Sequence, residues 1–536
     1  MGSPVSAHRV LPRRSSSSAT SGPLPAELIA LLLLCVVAFT LGLGAYSLTD
    51  PDEAVYGQVA REMVAPGGSW LTPHFQGGLW FDKPPLHYWA SALSVKLLGL
   101  SEVACRLPSV LAALALVFLV YLWSRRVWDT RSALFAALIL ASSLQTMVLA
   151  RAAVTDMLFA ACLTASLLLL ERWSASSRPR TLVLSALACG LAVLAKGPVA
   201  LVLVGLVALP LVIRRRPKRP LPSALGFLAI SALIYVPWYG AMLALHGDRF
   251  IQGFLVANNL TRYLSPEHPK TQSAFYFLPV LLVFFYPWSC LLPLVAGRFA
   301  RCWRELDRPE GFLAVWALVV LLFFSASQTK LVTYIYPAYP ALGLLLAKAL
   351  AEGAPRKWRL WLALPVALSI TLALVLPGLT RRSFPTAPTL VALVFAPSIV
   401  LLLGAWVATW RSRQGSPIVW ALALANVSLG VLAATVIMPR LEPSLSLRDL
   451  LAHRPSGTAG EPLVTTLHDR PSVWFYARSP VASAALQDAV DRLPPPPRWL
   501  LAERRAWGGL TPELQSRYKE VSGNGKYLLL RQRANR

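Results

Sequence analysis

Long apolar runs recur along most of this 536-residue chain and constrain its fold more than any other feature. An α-helix needs about 20 predominantly apolar residues to cross the hydrocarbon core of a bilayer. Short polar or basic segments separate the runs, and 56% of the residues are hydrophobic while only 14% are charged. This pattern is typical of a membrane protein with many spans and excludes a set of ordinary soluble domains.

The length rule predicts about thirteen transmembrane helices. Their approximate positions are 26–48, 107–124, 132–149, 154–171, 181–195, 198–213, 221–244, 275–297, 311–326, 331–350, 358–377, 390–410 and 417–438. We therefore expect a mainly α fold, with a polytopic helical bundle over 26–440. Residues 1–25 are rich in serine, proline and arginine and are expected to form a disordered cytoplasmic tail.

The distribution of basic residues predicts the orientation of the chain in the membrane. The net charge is +26, but no basic amphipathic face or recognition motif accompanies it, so no nucleic acid is expected as a partner. Loops rich in arginine and lysine remain cytoplasmic. Those loops lie at 9–14, 125–131, 172–180, 214–219, 298–308, 356–359 and 411–413. The intervening loops, which include the large loop 49–106, then face the periplasm, and the protein is expected in the inner membrane.

The last part of the chain has a different character. Apolar spans end near residue 440, and short strand and helix patterns follow. The predicted strands are 463–467, 499–502 and 527–530, and the predicted helices are 483–493 and 511–518. Because strands and helices alternate, we expect 441–536 to form a small periplasmic α/β domain.

Two polar segments in the loop 49–106 carry most of the candidate chemistry. They are Asp50-Pro51-Asp52-Glu53-Ala54-Val55-Tyr56 and Phe81-Asp82-Lys83-Pro84-Pro85-Leu86. Ionisable groups so close to hydrocarbon are costly and indicate a functional site. Asp52 can remove a proton from an acceptor group, or it can cap a surface helix. Lys83 can bind a phosphate as a point charge, or it can form a weak surface pair with Asp82.

Further ionisable and aromatic residues are predicted on the same outer face. They are Asp156, Lys196, Arg262, His268, Lys270, Lys330 and Tyr334. Structural alternatives exist, because Asp156 can cap a helix and a lone lysine often reaches to the membrane interface. His268 together with Asp82 would suit a divalent cation, although a histidine in a wet loop is more often solvated.

Taken in order, these segments resemble the bacterial lipid A aminoarabinose transferase family and its relatives, the protein O-mannosyltransferases. The likeness covers residues 45 to 350 and includes Arg106-Leu107-Pro108-Ser109, Ala150-Arg151 with Asp156, Leu194-Ala195-Lys196-Gly197-Pro198 and Lys330-Leu331-x-Thr333-Tyr334. Two positions depart from the family. Asp82 stands where the family usually has glutamate, and Val55 stands where aminoarabinose transferases often carry arginine.

The resemblance implies an integral-membrane glycosyltransferase of the GT-C type. Such enzymes take a sugar from a polyprenyl-phosphate carrier at the periplasmic face and usually invert the anomeric centre. Asp52 and Asp156, with Glu53 beside them, would then be the catalytic acids. The donor phosphate would be held by Lys83, Arg262, Lys270, Tyr334 and Lys330. We assign Tyr56, Tyr88 and Lys196 to substrate binding and a divalent metal ion, where one is used, to Asp82 and His268.

Three functions are compatible with these residues. The leading one is transfer of a sugar to a glycolipid or other envelope acceptor by a monomer among membrane lipids. The second is protein O-mannosyl transfer. The third, a flippase or transporter, is less favoured, because transporters place polar groups near mid-membrane and often contain repeats. Here the charged residues lie where loops join spans, and no repeat is visible.

Overall fold

Helices dominate the computed structural model of this chain. The residues that the structure describes are 26–215, 219–265, 273–302, 305, 308–353, 361–380, 388–411, 416–458, 460–477, 479–491 and 497–533. The predicted tail 1–25 lies outside them. The helices of the first half are α1 (Ala26–Thr40), α2 (Asp52–Val64), α3 (Leu86–Leu98), α4 (Glu102–Val127), α5 (Thr130–Ser142), α6 (Leu144–Ala150), α7 (Thr155–Ser176), α8 (Pro179–Lys196), α9 (Val199–Arg215) and α10 (Pro220–His246).

The second half contains both regular and tighter or wider helices. A π-helix, Ile251–Thr261, follows the short helix Asp248–Phe250 and leads into Arg262–Leu264. The remaining apolar elements are Phe277–Phe284, Trp288–Leu291, Leu292–Cys302, Pro309–Ala326, Val332–Ala338, Tyr339–Ala351, Ala363–Thr380, Pro388–Arg411, Ser416–Leu432, Ala433–Ile437 and Met438–Leu445.

The apolar helices confirm a multi-pass membrane protein. Within the described residues, six helices are long and apolar enough to cross a membrane, or up to eight if each of two bent helix pairs forms one span. Three other predicted spans coincide with shorter helices, namely α1, α9 and Tyr339–Ala351 with 15, 17 and 13 residues. Helices of this length extend about 20 to 26 Å, which is less than the hydrocarbon thickness. The number of about thirteen spans therefore stays a prediction.

The loop 49–106 contains two helices and a small hairpin. Acidic residues open α2 and Pro84-Pro85 precede α3, so each of the two helices has a start signal in the sequence. Between them, β1 (His74–Phe75) pairs with β2 (Gly78–Leu79). One face of α2 packs Val55, Val59 and Met63 against α3, so the two helices form a small apolar layer of their own.

A buried ion pair holds this loop onto the helical bundle. The Arg106 guanidinium, in α4, pairs with both oxygens of Glu53 at 2.9 Å and donates to backbone carbonyls of 43–47 at 2.7 to 3.0 Å. Glu53 also accepts the Ala153 amide at 2.8 Å and the amide and hydroxyl of Thr49. Burial acts to raise the pKa of Glu53, but the Arg106 charge outweighs it and holds the pKa below its usual value. The segment that follows α1, the first turn of α2 and the α6–α7 connection are thus joined by this ion pair.

The C-terminal segment forms a five-stranded sheet in the order β4-β3-β5-β7-β6. The strands are β3 (Leu463–Thr465), β4 (Val481–Ser483), β5 (Trp499–Glu503), β6 (Tyr518–Gly523) and β7 (Tyr527–Gln532). β3 is parallel to β4 and β5, whereas β7 is antiparallel to β5 and β6. Both sheet faces are covered, since Leu529 and Leu528 on β7 belong to separate apolar clusters. Short helices lie between or beside the strands at Arg448–Ala452, Ser472–Tyr476, Leu486–Asp491, Arg504–Gly508 and Pro512–Ser516.

Three of these strands match the sequence expectation, and two do not. β4 and β6 lie at the sheet edges and are largely exposed. β4 has only three residues and β6 is mainly polar, so both lack the apolar signal that marks β3, β5 and β7. The predicted helix over 511–518 ends earlier in the structure, because Tyr518 begins β6.

We predict that Glu53→Gln destabilises the folded protein by about 3–5 kcal/mol, because it leaves the buried Arg106 charge without its counter-ion. The midpoint of thermal unfolding of the purified protein measures the effect. Glu305→Gln is the matched control, since Glu305 pairs with Arg308 on the surface and such pairs contribute about 0–1 kcal/mol. Equal midpoints for the two variants would contradict the assignment.

Candidate functional site

Six charged side chains meet where the loop 49–106 lies against the ends of the bundle helices. They form the charged cluster, which consists of Asp52, Asp82, Lys83, Asp156, Lys196 and Arg262. Asp82 forms direct ion pairs with Lys83 and Arg262, and Asp156 forms one with Lys196. Asp52 is close enough to interact electrostatically with the other two carboxylates and with Lys83 and Arg262. Residues far apart in sequence thus lie close together, as their predicted position on the same outer face implies.

The helix ends explain why these charges are tolerated here. Asp52 lies in the first turn of α2 and Asp156 in the first turn of α7, whereas Lys196 lies in the last turn of α8. Negative charge is stabilised at a helix N-terminus and positive charge at a C-terminus. Each of these groups therefore occupies the end of the helix that favours its sign.

Asp156 and Lys196 form a direct ion pair within the charged cluster. The Lys196 ammonium donates to Asp156 Oδ1 at 2.6 Å, and both side chains are largely buried. The same ammonium lies 5.1 Å from the ring centre of Tyr334, and the Thr333 hydroxyl lies within hydrogen-bonding reach of Asp156. This pairing places a positive charge directly against Asp156 and engages one of its carboxylate oxygens.

The turn after Lys196 brings the π-helix close to the pair. Gly197 has φ +117°, a conformation that other residues rarely adopt. A Cβ at this position would lie 3.1 Å from the Asn259 side-chain oxygen, so glycine also makes room for the π-helix. Gly197 therefore has a packing role in addition to reversing the direction of the chain.

Asp82 lies between two cations. Lys83 Nζ is 2.9 Å and Arg262 Nη1 is 3.6 Å from Asp82 Oδ1. Burial lowers the pKa of Lys83, while the Asp82 charge acts in the opposite direction. The three groups together carry one excess positive charge, which suits an anionic oxygen such as that of a phosphate.

Asp52 differs from the other two carboxylates of the cluster. Its side chain is exposed, and no ion pair holds it within the part of the chain that the structure describes. Partial desolvation by the surrounding protein raises the pKa of Asp52 above its usual value, and the negative charges of Asp156 and Asp82 act in the same direction. Asp52 is consequently the carboxylate best suited to accept a proton.

Glu53 does not have the surroundings of the predicted catalytic acid. It is the neighbour of Asp52 in sequence, but both of its oxygens are engaged by Arg106 and by backbone amides inside the protein. A carboxylate saturated in this way has no free lone pair to offer a substrate. We therefore interpret Glu53 as a structural residue.

Tyr56 and Tyr88 also differ from their predicted role of contacting substrate. Both are buried, and their ring centres lie 5.6 Å apart in the apolar layer between α2 and α3. The Tyr88 hydroxyl accepts a hydrogen bond from Trp80 Nε1 at 3.1 Å. In this arrangement the two rings belong to the apolar packing that adjoins the charged cluster.

Lys330 and Tyr334 approach the site from the later part of the bundle. Tyr334 lies against Lys196 in the short helix Val332–Ala338, and its ring packs on Phe324. Lys330 is buried and donates to the Ser327 carbonyl oxygen. Tyr334 thus lies at the charged cluster, whereas the hydrogen bond of Lys330 to Ser327 stabilises its own loop.

The metal prediction involves residues that the structure describes only in part. His268 and Lys270 lie outside the described residues. Within those that are described, no three His, Cys, Asp or Glu side chains come together as a metal-binding group. Asp82 faces an ammonium and a guanidinium, and this donor set does not fit a divalent cation. A metal ion therefore stays a prediction, and no chemical step below depends on one.

Sequence reasoning overlooked two polar contacts at the site. Thr333 lies beside Asp156, and Asn258 donates to the backbone carbonyl of Phe81 at 3.4 Å, just before Asp82. Neither residue has a charge, and although Thr333 stands in the motif Lys330-Leu331-x-Thr333-Tyr334, no role was assigned to it. Only the proximity of Asn258 to Arg262 in the same loop could have indicated its position.

Comparisons with known proteins point to one family. A family model described as dolichyl-phosphate-mannose-protein mannosyltransferase matches residues 82–239. The undecaprenyl phosphate-α-4-amino-4-deoxy-L-arabinose arabinosyl transferase of Pseudomonas paraeruginosa is 34% identical over 413 residues, which cover 74% of this chain and 73% of that protein. The protein of the same name from Pectobacterium carotovorum is 32% identical and covers 65% of this chain and 64% of its own length.

Solved structures share the fold. ArnT from Cupriavidus metallidurans, crystallised with undecaprenyl phosphate, has a TM-score of 0.81 at 23% identity, and the match covers 94% of this chain and 98% of that one. The apo form of the same protein has a TM-score of 0.80 at 22% identity, with 94% and 97% coverage.

Proposed function

The chain belongs to the family of undecaprenyl phosphate-α-4-amino-4-deoxy-L-arabinose arabinosyl transferases, and we propose that it moves a sugar of the aminoarabinose type from a polyprenyl-phosphate carrier to a glycolipid such as lipid A. It is a glycosyltransferase held in the membrane by many helices. The observation that carries the proposal is the charged cluster, in which a cationic group for a phosphate adjoins Asp52, a carboxylate that has no ion pair among the described residues.

Lys83 and Arg262 are the proposed binding groups for the donor phosphate. Breaking the bond between the anomeric carbon and the phosphate oxygen leaves both electrons on the phosphate. The excess positive charge around Asp82 stabilises that developing charge. Single groups of this kind contribute about 10²–10³ in rate. Tyr334 and Lys330, together with Lys270 from the same loop as Arg262, complete the proposed phosphate-binding set.

Asp52 and Asp156 have different roles toward the acceptor hydroxyl. An acceptor hydroxyl oxygen forms the new bond to the anomeric carbon while its proton passes to Asp52, the exposed carboxylate with the raised pKa. Asp156, held by Lys196 at 2.6 Å, orients the hydroxyl without taking its proton. Attack opposite the departing phosphate inverts the anomeric centre.

The proposed site faces the periplasm. The charged cluster lies at the start of α7 and the end of α8, whereas Arg172, Arg178 and Arg180 lie near the opposite ends of these two helices. Arginine-rich loops remain cytoplasmic. We accordingly propose an inner-membrane monomer with about thirteen crossings and with 441–536 as a periplasmic α/β domain.

Protein O-mannosyl transfer is the second candidate. It is supported by the family model that matches 82–239 and by Val55 at a position where aminoarabinose transferases often have arginine. Both reactions use a lipid-phosphate donor and a hydroxyl acceptor, so the charged cluster serves either one.

We predict that Asp52→Asn lowers transfer of radiolabelled sugar from polyprenyl phosphate by about 10²–10⁴, because the proton acceptor is lost. Asp156→Asn is expected to lower transfer as well, since it removes the oriented carboxylate. Asp248→Asn, an exposed outer-loop residue, serves as the control and should retain transfer. Full activity of both cluster variants would refute the catalytic assignment.

We also predict that lipid A precursors accept the sugar and that serine- and threonine-containing peptides do not. Purified protein, labelled polyprenyl-phosphate aminoarabinose and each acceptor are incubated, and the products are identified by mass spectrometry. Transfer to the peptide alone would favour the second candidate.

The pH dependence of kcat/KM is expected to be bell-shaped. The rate falls in acid as Asp52 takes up a proton, at a pH above the usual aspartate range because its pKa is raised. It falls in alkali as Lys83 loses its proton, at a pH below the usual lysine range because its pKa is lowered. Lys83→Arg should move only the alkaline limb upward, because a guanidinium remains charged. An alkaline limb that does not move would exclude Lys83 as its source.

A further inference from the structure

Asp50 lies two residues before Asp52 and makes a contact that the proposed reaction does not use. Its carboxylate is 2% exposed. Oδ1 accepts the backbone amide of Ser472 at 2.7 Å, and Oδ2 accepts the Ser472 hydroxyl at 2.6 Å. Ser472 is completely buried and begins the helix Ser472–Tyr476 of the C-terminal segment, here called the docking helix. The beginning of α2 is therefore tied to a part of the chain 422 positions away.

A second polar contact ties the other end of α2 to the same docking helix. Arg61 Nη1 lies 2.9, 3.1 and 3.3 Å from the carbonyl oxygens of Trp474, Phe475 and Ala477. These carbonyls lie at or near the end of the docking helix, where no further helical turn donates amide hydrogen bonds to them. Asp50, just before α2, thus provides an anion for the beginning of the docking helix, and Arg61 in the last turn of α2 provides a cation for its end.

An apolar contact lies between the two polar ones. Phe475 is 5% exposed and packs with Leu48, Ala54 and Ala104 in one cluster. A Cβ on Gly57 would lie 3.1 Å from the Phe475 ring, so the absence of a side chain there permits the close approach. The contact between α2 and the docking helix is therefore packed and buried, and its polar atoms are paired.

We propose that Asp50, Ser472 and Arg61 are positioning residues, through which the C-terminal segment holds α2 so that Asp52 stays within the charged cluster. The inference rests on the proposed function and deepens it. Asp52 has no ion pair of its own among the described residues, so its position depends on the backbone of α2. That backbone is anchored on one side by Asp50 and on the other by Glu53.

The two anchors differ in what they join. Glu53 connects α2 to α4, within the bundle. Asp50 connects it to the C-terminal segment, which supplies no side chain to the charged cluster among the residues described. Loss of the Asp50 contact is thus expected to move Asp52 while leaving Lys83 and Arg262 in place.

The test uses the full-length protein in lipid nanodiscs with Ser472→Ala, Asp50→Asn and the double variant. Each is expected to lower kcat about 10- to 100-fold, the effect of a misplacement near 1 Å. KM for the polyprenyl-phosphate donor should stay within about twofold, and the acid limb of the kcat profile should shift. The losses of the two single variants should not add up in the double variant, because both substitutions act on the same contact between Asp50 and Ser472.

Ser516→Ala is the matched control, since Ser516 is exposed on the same segment and bonds only locally. Arg61→Gln weakens the other end of the docking contact and keeps the test decisive where an Asp50 variant fails to fold. Wild-type kcat and acid limb in Ser472→Ala and Arg61→Gln would overturn the inference, as would an equal loss in Ser516→Ala. Absence of transfer by the wild type would instead refute the proposed function.

Discussion

The structure depends most on the buried ion pair between Arg106 and Glu53. Removing two charges from water is costly, and their attraction offsets that cost only when the remaining donors and acceptors are also paired. Here they are, since the guanidinium also satisfies carbonyls of 43–47 and the carboxylate also accepts backbone amides. An apolar pair of similar volume could fill the space, but it would leave those backbone groups unsatisfied. The ion pair therefore specifies one path for the chain as it leaves α1 and enters α2.

The position of α2 brings Asp52 into the charged cluster and so contributes to the balance of charge there. Three carboxylates and three cations sum to zero, so the cluster does not repel an anionic carrier lipid. The charges are nevertheless divided unequally, because Lys196 neutralises Asp156 whereas Lys83 and Arg262 share Asp82. Asp52 retains a negative charge without a partner of its own among the described residues. Transfer of a proton to Asp52 would leave the local charge more positive just as charge develops on the departing phosphate.

Local features of this fold could be predicted from the sequence, and contacts between distant elements could not. The starts of α2 and α3 follow from the acidic residues and prolines there. The grouping of Asp52, Lys83, Asp156 and Lys196 followed from their common place beside apolar runs. The difference between Asp52 and Glu53 was missed, because adjacent helix positions point in different directions and the partner of Glu53 is 53 residues away. The edge strand β6 was missed because its side chains are polar.

The location of the charged cluster is better suited to the proposed transfer than to transport. A transported ligand must be met by polar groups near the middle of the bilayer. In α7 and α8 the charged groups Asp156 and Lys196 occupy the terminal turns, and the residues between the ends are mainly apolar. Asp52, Asp82 and Lys83 come from elements that lie between spans. Only the phosphate and sugar of a carrier need to reach such a site, so its hydrocarbon chain can remain in the lipid while the bond is exchanged at the rim.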